Sequence, residues 1–271
     1  MRNESIEQGR ISENLRVIAI TSFLTGLFTS MTQAVWQPFV LSLGAPMSTL
    51  GFLESLGGRR GLTTALFQPI GGWLSDRLGR KPLVALGSLL GLLVMVFYVL
   101  AAIVGDWRWL LPGVILLGAT LASSPAEISL VAESVHASQR GTAFSLQMAS
   151  WMLPGVFAPA LGGFIADRWG FTSVFLTRFG LEVLRLSLIL RFLQETLNRV
   201  NRGFSLGELK GVLVRMVVPP RELRGFYWAM APNMDATVGL DFYLARGTGA
   251  GLQYRSLFPG GTKGDLDLYY F

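Results

Sequence analysis

Residues 17–53 contain no Asp, Glu, Lys or Arg, and neither do 82–105, 109–126 or 141–166. A bilayer's hydrocarbon core is about 30 Å thick and needs roughly 20 helical residues to cross. Each run is long enough. Only 15% of the 271 residues are charged, against about 25% in a soluble domain. The chain therefore reads as an all-α integral membrane protein.

Six spans are expected, over 17–41, 47–71, 82–105, 109–132, 141–166 and 170–192, joined by short polar turns. Pro69, Pro125, Pro154 and Pro159 fall within them, and proline is commoner in membrane helices than in soluble ones. The implied organisation is a cytoplasmic N-terminus (1–16), a six-helix bundle (17–192), a cytoplasmic linker (193–225) and an aberrant tail (226–271). No secretory signal pattern precedes the first span. Twelve Lys and Arg fall on one side of the spans and only Arg108 and Arg168 on the other. The positive-inside rule then puts the N-terminus in the cytoplasm of a plasma-membrane protein. The same rule accounts for the net charge of +6, so no nucleic-acid partner is expected. Cysteine is absent, which excludes disulfides and thiolate metal sites; no metal or cofactor is expected.

The segment GGWLSDRLGR at 71–80 returns as GGFIADRWGF at 162–171, 91 residues on. Gly-Gly, Asp-Arg and the following Gly keep register. One copy ends the second span and the other ends the fifth, so three helices separate them and they lie on opposite faces. Inverted three-helix repeats build many secondary transporters.

The first copy extends to Lys81, and the set Gly72, Asp76, Arg77, Gly79, Arg80 and Lys81 resembles the loop signature of the major facilitator superfamily, in its usual place between spans two and three. AESVHASQRG at 132–141 and PALGG at 159–163 resemble weaker family motifs. The resemblance covers about residues 10–225 and implies one six-helix half of a twelve-helix fold. It also implies a gating latch on the cytoplasmic side, with Asp76 facing the N-terminal end of a neighbouring helix and pairing with the basic residues beside it. The fourth-span arginine of the family's drug antiporters is absent; Arg108 lies before that span.

Charges within spans are costly and mark pathways or partners. Glu54, Arg59 and Arg60 fall in the second span, Glu127 in the fourth, and Arg178, Glu182 and Arg185 in the sixth. The last three share one helix face, as either an internally paired stripe or a cavity wall. Arg59 and Arg60 point about 100° apart, so they do not face one cavity together. Glu127 is a candidate proton-titrating group. Thr25, Thr29, Gln33 and Trp36 form a polar stripe on the first span, suited to a cavity wall or to helix contact.

GFSLG at 203–207 fits a hydrolase nucleophile elbow, but no strand precedes it and the only histidine, His136, lies upstream. Ser205 with Glu208 reads instead as a capping box opening a helix over 206–217, and His136 as a solvated loop residue. No enzyme activity is expected. The family pattern ends near residue 231. The expectation is a truncated or frameshifted chain whose second half is missing.

The chain thus reads as one half of a transporter. It moves a small solute by alternating access, in a lipid bilayer, against a second six-helix bundle, with a proton as candidate coupling ion. The rival reading is a non-transporting six-helix scaffold or inert remnant. Nothing in the sequence names the substrate.

Overall fold

The computed structural model describes residues 2–57, 61–197 and four strands between 225 and 270. Arg59, Arg60, Ser205, Glu208 and the helix expected over 206–217 lie outside the described residues. The chain divides into two units, 1–204 and 205–271.

In the first unit the six expected spans are all helical in the described residues, the fourth and fifth each interrupted by a 3₁₀ turn. The first is α1 (Arg2–Ser42) and the second is α2 (Met47–Gly57) plus α3 (Leu62–Leu78). The third is α4 (Arg80–Val104) and the fourth α5 (Leu110–Thr120) plus α6 (Ser124–Glu133). The fifth comprises α7 (Arg140–Met152) and α8 (Ala158–Trp169), and the sixth is α9 (Phe171–Phe192). Among the described residues, four segments are long and apolar enough to cross a membrane: Glu13–Ser42, Arg80–Val104, Trp107–Glu133 and Ala137–Trp169. The second span is described only on either side of residues 58–60, and the sixth carries Arg178, Glu182, Arg185 and Arg191.

Proline causes both interruptions. Pro125 has no N–H to donate and its ring crowds the carbonyl four residues back, so Leu121–Ser123 tightens into a 3₁₀ turn. The Ser123 hydroxyl then donates to the Thr120 carbonyl at 2.9 Å, satisfying a backbone acceptor inside the helix. Pro154 acts alike at the 3₁₀ turn Leu153–Val156 between α7 and α8.

The 91-residue repeat is a repeat of conformation and of contact. Gly79 (φ +105°, ψ 163°) and Gly170 (φ +80°, ψ 168°) each cap the end of one helix and open the next. That backbone region is open essentially to glycine alone. Gly71 lies against the backbone of Ala122, and Gly162 against the backbone of Met31. Adding 91 to Met31 and Gly71 gives Ala122 and Gly162, so one contact is the other carried through the repeat. The second span thus packs on the fourth as the fifth packs on the first, in each case at a glycine that lets the backbones touch.

Two apolar clusters fill the bundle. Phe39, Val94, Tyr98, Leu110 and Phe175 belong to one, Ile18, Leu83, Leu130 and Ile189 to the other. Along α9 the first cluster ends at Phe175 and the second begins at Ile189; the charged stripe lies between them.

The second unit is a four-stranded antiparallel meander of β1 (Gly225–Ala231), β2 (Met234–Tyr243), β3 (Gly247–Leu257) and β4 (Lys263–Tyr270). Val238 stands opposite Leu252, and Leu252 opposite Leu268. These strands are an addition to the all-α expectation, which holds for the bundle. Aromatic and β-branched residues favour strand here, and the glycines and charges at 235–255 keep any apolar run too short to span.

Replacing Gly170 with Ala should cost about 1–3 kcal/mol, the strain of that backbone region alone, because nothing lies within 4 Å of the added carbon. Gly79→Ala should cost more, since its methyl would also meet the Glu195 carboxylate 2.5 Å away. Thermal unfolding of the purified variants in detergent orders the two.

Candidate functional site

Between the apolar clusters lies a cavity of about 1190 Å³, ample for a drug-sized ligand. α1 contributes Thr25, Thr29, Gln33 and Trp36 to its wall, α6 contributes Glu127, and α9 contributes Arg178, Glu182 and Arg185. Eight of the ten pathway candidates from the sequence therefore meet in one space, and the other two are Arg59 and Arg60. Thr25 returns its hydroxyl to the Thr21 carbonyl at 2.8 Å, which leaves its methyl and oxygen lone pairs for the cavity. Glu54, from α2, is exposed and also lines it.

The α9 stripe proves to be both of its alternatives at once. Arg185 donates to Glu127 at 2.7 Å, to Glu182 at 3.1 Å and to the Ser88 hydroxyl of α4 at 2.6 Å. Glu182 is 3% exposed, and room for its carboxyl comes from Gly91, whose added methyl would stand 3.2 Å from that group. Arg178 lies one turn away with its guanidinium 5.0 Å from the centre of the Phe28 ring. Trp36 stacks on Tyr98 at 5.1 Å, giving the cavity an aromatic wall.

The charged turn forms a second constellation. Arg80 donates to Asp76 at 2.6 Å, to the Ser75 hydroxyl at 2.7 Å and to Glu133 of α6 at 3.0 Å. Arg77 lies over the Trp73 ring at 4.7 Å, and Lys81 donates to the Leu190 carbonyl of α9 at 2.9 Å. Gly72 makes only an ordinary contact, 3.9 Å from Pro125. Asp76 is largely exposed, and the carboxylate at a neighbouring helix N-terminus is another one. Glu195, just beyond α9, accepts from the backbone N–H groups of Arg80 and Lys81, each at 3.0 Å. It satisfies amides that α4 leaves open and complements the helix dipole. Thr196 donates to Glu133 at 2.5 Å, and Asn14 of α1 exchanges two hydrogen bonds with the Gln194 backbone. One signal for Glu195 was in the sequence: an acidic residue directly after a basic helix end, on the same face as the turn. His136 is exposed, 3.1 Å from the Ser138 hydroxyl.

Against known proteins, the profile of the Major Facilitator Superfamily matches residues 18–260, past residue 231, where the recognisable pattern ends. The chain belongs to that superfamily. Among similar proteins are the multi-drug resistance efflux pump PmrA of Streptococcus pneumoniae, 29% identical over 184 residues, 68% of this chain and 45% of PmrA. The multidrug resistance protein MdtG of Klebsiella pneumoniae is 31% identical over 165 residues, 60% of this chain and 39% of MdtG. Among solved structures, the human organic anion transporter MFSD10 shares the fold with a TM-score of 0.58 at 16% identity. That match covers 74% of this chain and 53% of MFSD10. The chain thus spans less than half the length of these bacterial relatives. It is an integral membrane protein.

Removing Arg185 would strand Glu182 in the interior, and breaking a buried pair costs about 3–5 kcal/mol. Arg185→Met should therefore lower detergent stability sharply, while Arg185→Met with Glu182→Leu should recover much of the loss. A double-mutant cycle on unfolding midpoints measures the difference.

Proposed function

We propose that this bundle carries a small organic solute across the plasma membrane by alternating access. The observation that carries the proposal is the cavity itself, a half-open chamber in a transporter fold that is walled by side chains of both apolar clusters and by the charged groups between them. Such a chamber gives a solute polar partners part-way across an apolar barrier, and rocking one bundle against another opens it to each side in turn. The opposing bundle would be a second set of six helices. Efflux pumps among the relatives make outward movement the direction to test first.

In this reading the N-terminus and the Asp76–Lys81 turn face the cytoplasm. The turn ties α3, α4, α6 and the segment after α9 together at one end, so it holds that end shut while its hydrogen bonds persist. Arg80 is the hub and Asp76 its exposed, breakable partner. A proton enters through Glu127, which faces the cavity and shares Arg185 with Glu182. Protonating it removes one of Arg185's two anionic partners and leaves the other in place.

The test is efflux of two dyes of opposite charge, ethidium and 1-pyrenebutyrate, from cells expressing the protein. Exposed ion pairs contribute only about 0–1 kcal/mol, so Asp76→Asn should leave the amount of inserted protein unchanged while efflux falls to a small fraction. Efflux equal to wild type in that variant, or none from wild type at normal membrane levels, overturns the proposal in favour of a scaffold. Glu127→Gln should abolish the dependence of flux on the pH gradient. A gradient dependence that survives removes Glu127 from the coupling step.

A further inference from the structure

Four buried or half-buried charges surround the cavity's middle, and three of them are engaged. Arg185 has three acceptors, and Glu127 and Glu182 both receive from it. Arg178 is different. It is only 8% exposed, lines the cavity, and has no hydrogen-bond or ion-pair partner among the described residues. Its Nε is enclosed without an acceptor, as is that of Arg185, but its terminal nitrogens, unlike those of Arg185, have no acceptor among the described residues. Glu182, the nearest acid along the helix, is turned to Arg185. What Arg178 has is an aromatic face, the Phe28 ring, which favours a cation without supplying an acceptor for its N–H groups.

A guanidinium presents five donors in a planar fork matched to a carboxylate. A buried polar group left without acceptors is costly, so this site is destabilised when empty and relieved by an anion. Trp36, Tyr98 and Phe28 line the space beside it, which suits an apolar or aromatic body next to the charged head.

We propose that Arg178 is the anion-binding point of the cavity, taking the carboxylate of an amphiphilic organic acid whose apolar body lies against Phe28 and Trp36. This rests on the transport reading above and deepens it by naming the substrate class. Arg185 does not serve, because both of its terminal nitrogens are bonded within the bundle and its release would uncover Glu182.

The experiment is binding rather than flux, on the full-length protein in detergent, followed through tryptophan quenching by two probes of the same ring and opposite charge. They are 1-pyrenebutyrate and 1-pyrenemethylammonium. Wild type should bind the carboxylate at least about tenfold more tightly than the ammonium, the scale of one charge-assisted hydrogen bond. Arg178→Gln should erase that preference and leave ammonium binding in place, and Arg178→Lys should keep part of it. No preference for the carboxylate in wild type overturns the proposal with no variant needed. An undiminished preference in Arg178→Gln also overturns it. If Arg178→Gln fails to fold, Phe28→Leu and Arg178→Lys decide: both must weaken the carboxylate alone, and equal loss of both probes makes Arg178 structural. Carboxylate-selective binding without pyrenebutyrate flux in cells refutes the transport reading and leaves the site standing. Flux with no carboxylate preference refutes the site alone.

Discussion

Everything else in the bundle is arranged around one guanidinium. Arg185 sits 7% exposed between two apolar clusters, where an isolated charge would cost several kcal/mol. It is tolerable because three helices bring acceptors to it: Ser88 on α4, Glu127 on α6 and Glu182 on its own helix. Those bonds fix the rotation of α9 against α4 and α6, since turning any one of the three by a residue would leave a carboxylate or the arginine unmatched. The cavity is the space these constraints leave open, and its charged wall is a by-product of holding the helices in register.

Much of this was legible because hydrophobicity is read over long windows. Long apolar runs, four of them free of charge, marked six spans, and the polar residues inside them marked the cavity wall, because an intramembrane charge has few places to go. Register along a helix was legible too: the spacing of Arg178, Glu182 and Arg185 put them on one face. What stayed hidden were pairings between distant segments. Glu195 stands out locally as an acid just after a basic helix end, but that signal does not name its partner, the end of α4 115 positions back along the chain. Asp76 pairs at i+4 with the side chain of Arg80, the first residue of α4, while the open amides of α4 go to Glu195. The strands after residue 224 escaped because short mixed polar and aromatic segments carry little periodicity.

The repeat adds a second lesson. Gly91 and Glu182 are 91 residues apart and so occupy equivalent places in the two halves, yet they face each other across α4 and α9. Where one half puts a carboxylate, the other puts the smallest residue available, and the space conceded by the first is filled by the second. Arg178 likewise stands opposite Gly87 in the numbering. The backbone keeps the symmetry of the repeat, and the chemistry abandons it: among the described residues, the buried charges of that layer stand on α9, with half-buried Glu127 of α6 beside them.

That asymmetry bears on how the protein is made. A ribosome delivers helices in chain order, and α9 is the sixth span to arrive. It is also the span least able to rest in lipid by itself, with Arg178, Glu182 and Arg185 all on its length. Ser88 and Glu127 are made first, so the groups that receive Arg185 are already in the bilayer when it emerges. Were the order reversed, the most charged helix would wait unpartnered among acyl chains. The earlier spans therefore act as a template for the last, and the insertion machinery has only to hold α9 at the edge of a nearly finished bundle until Arg185 finds its place.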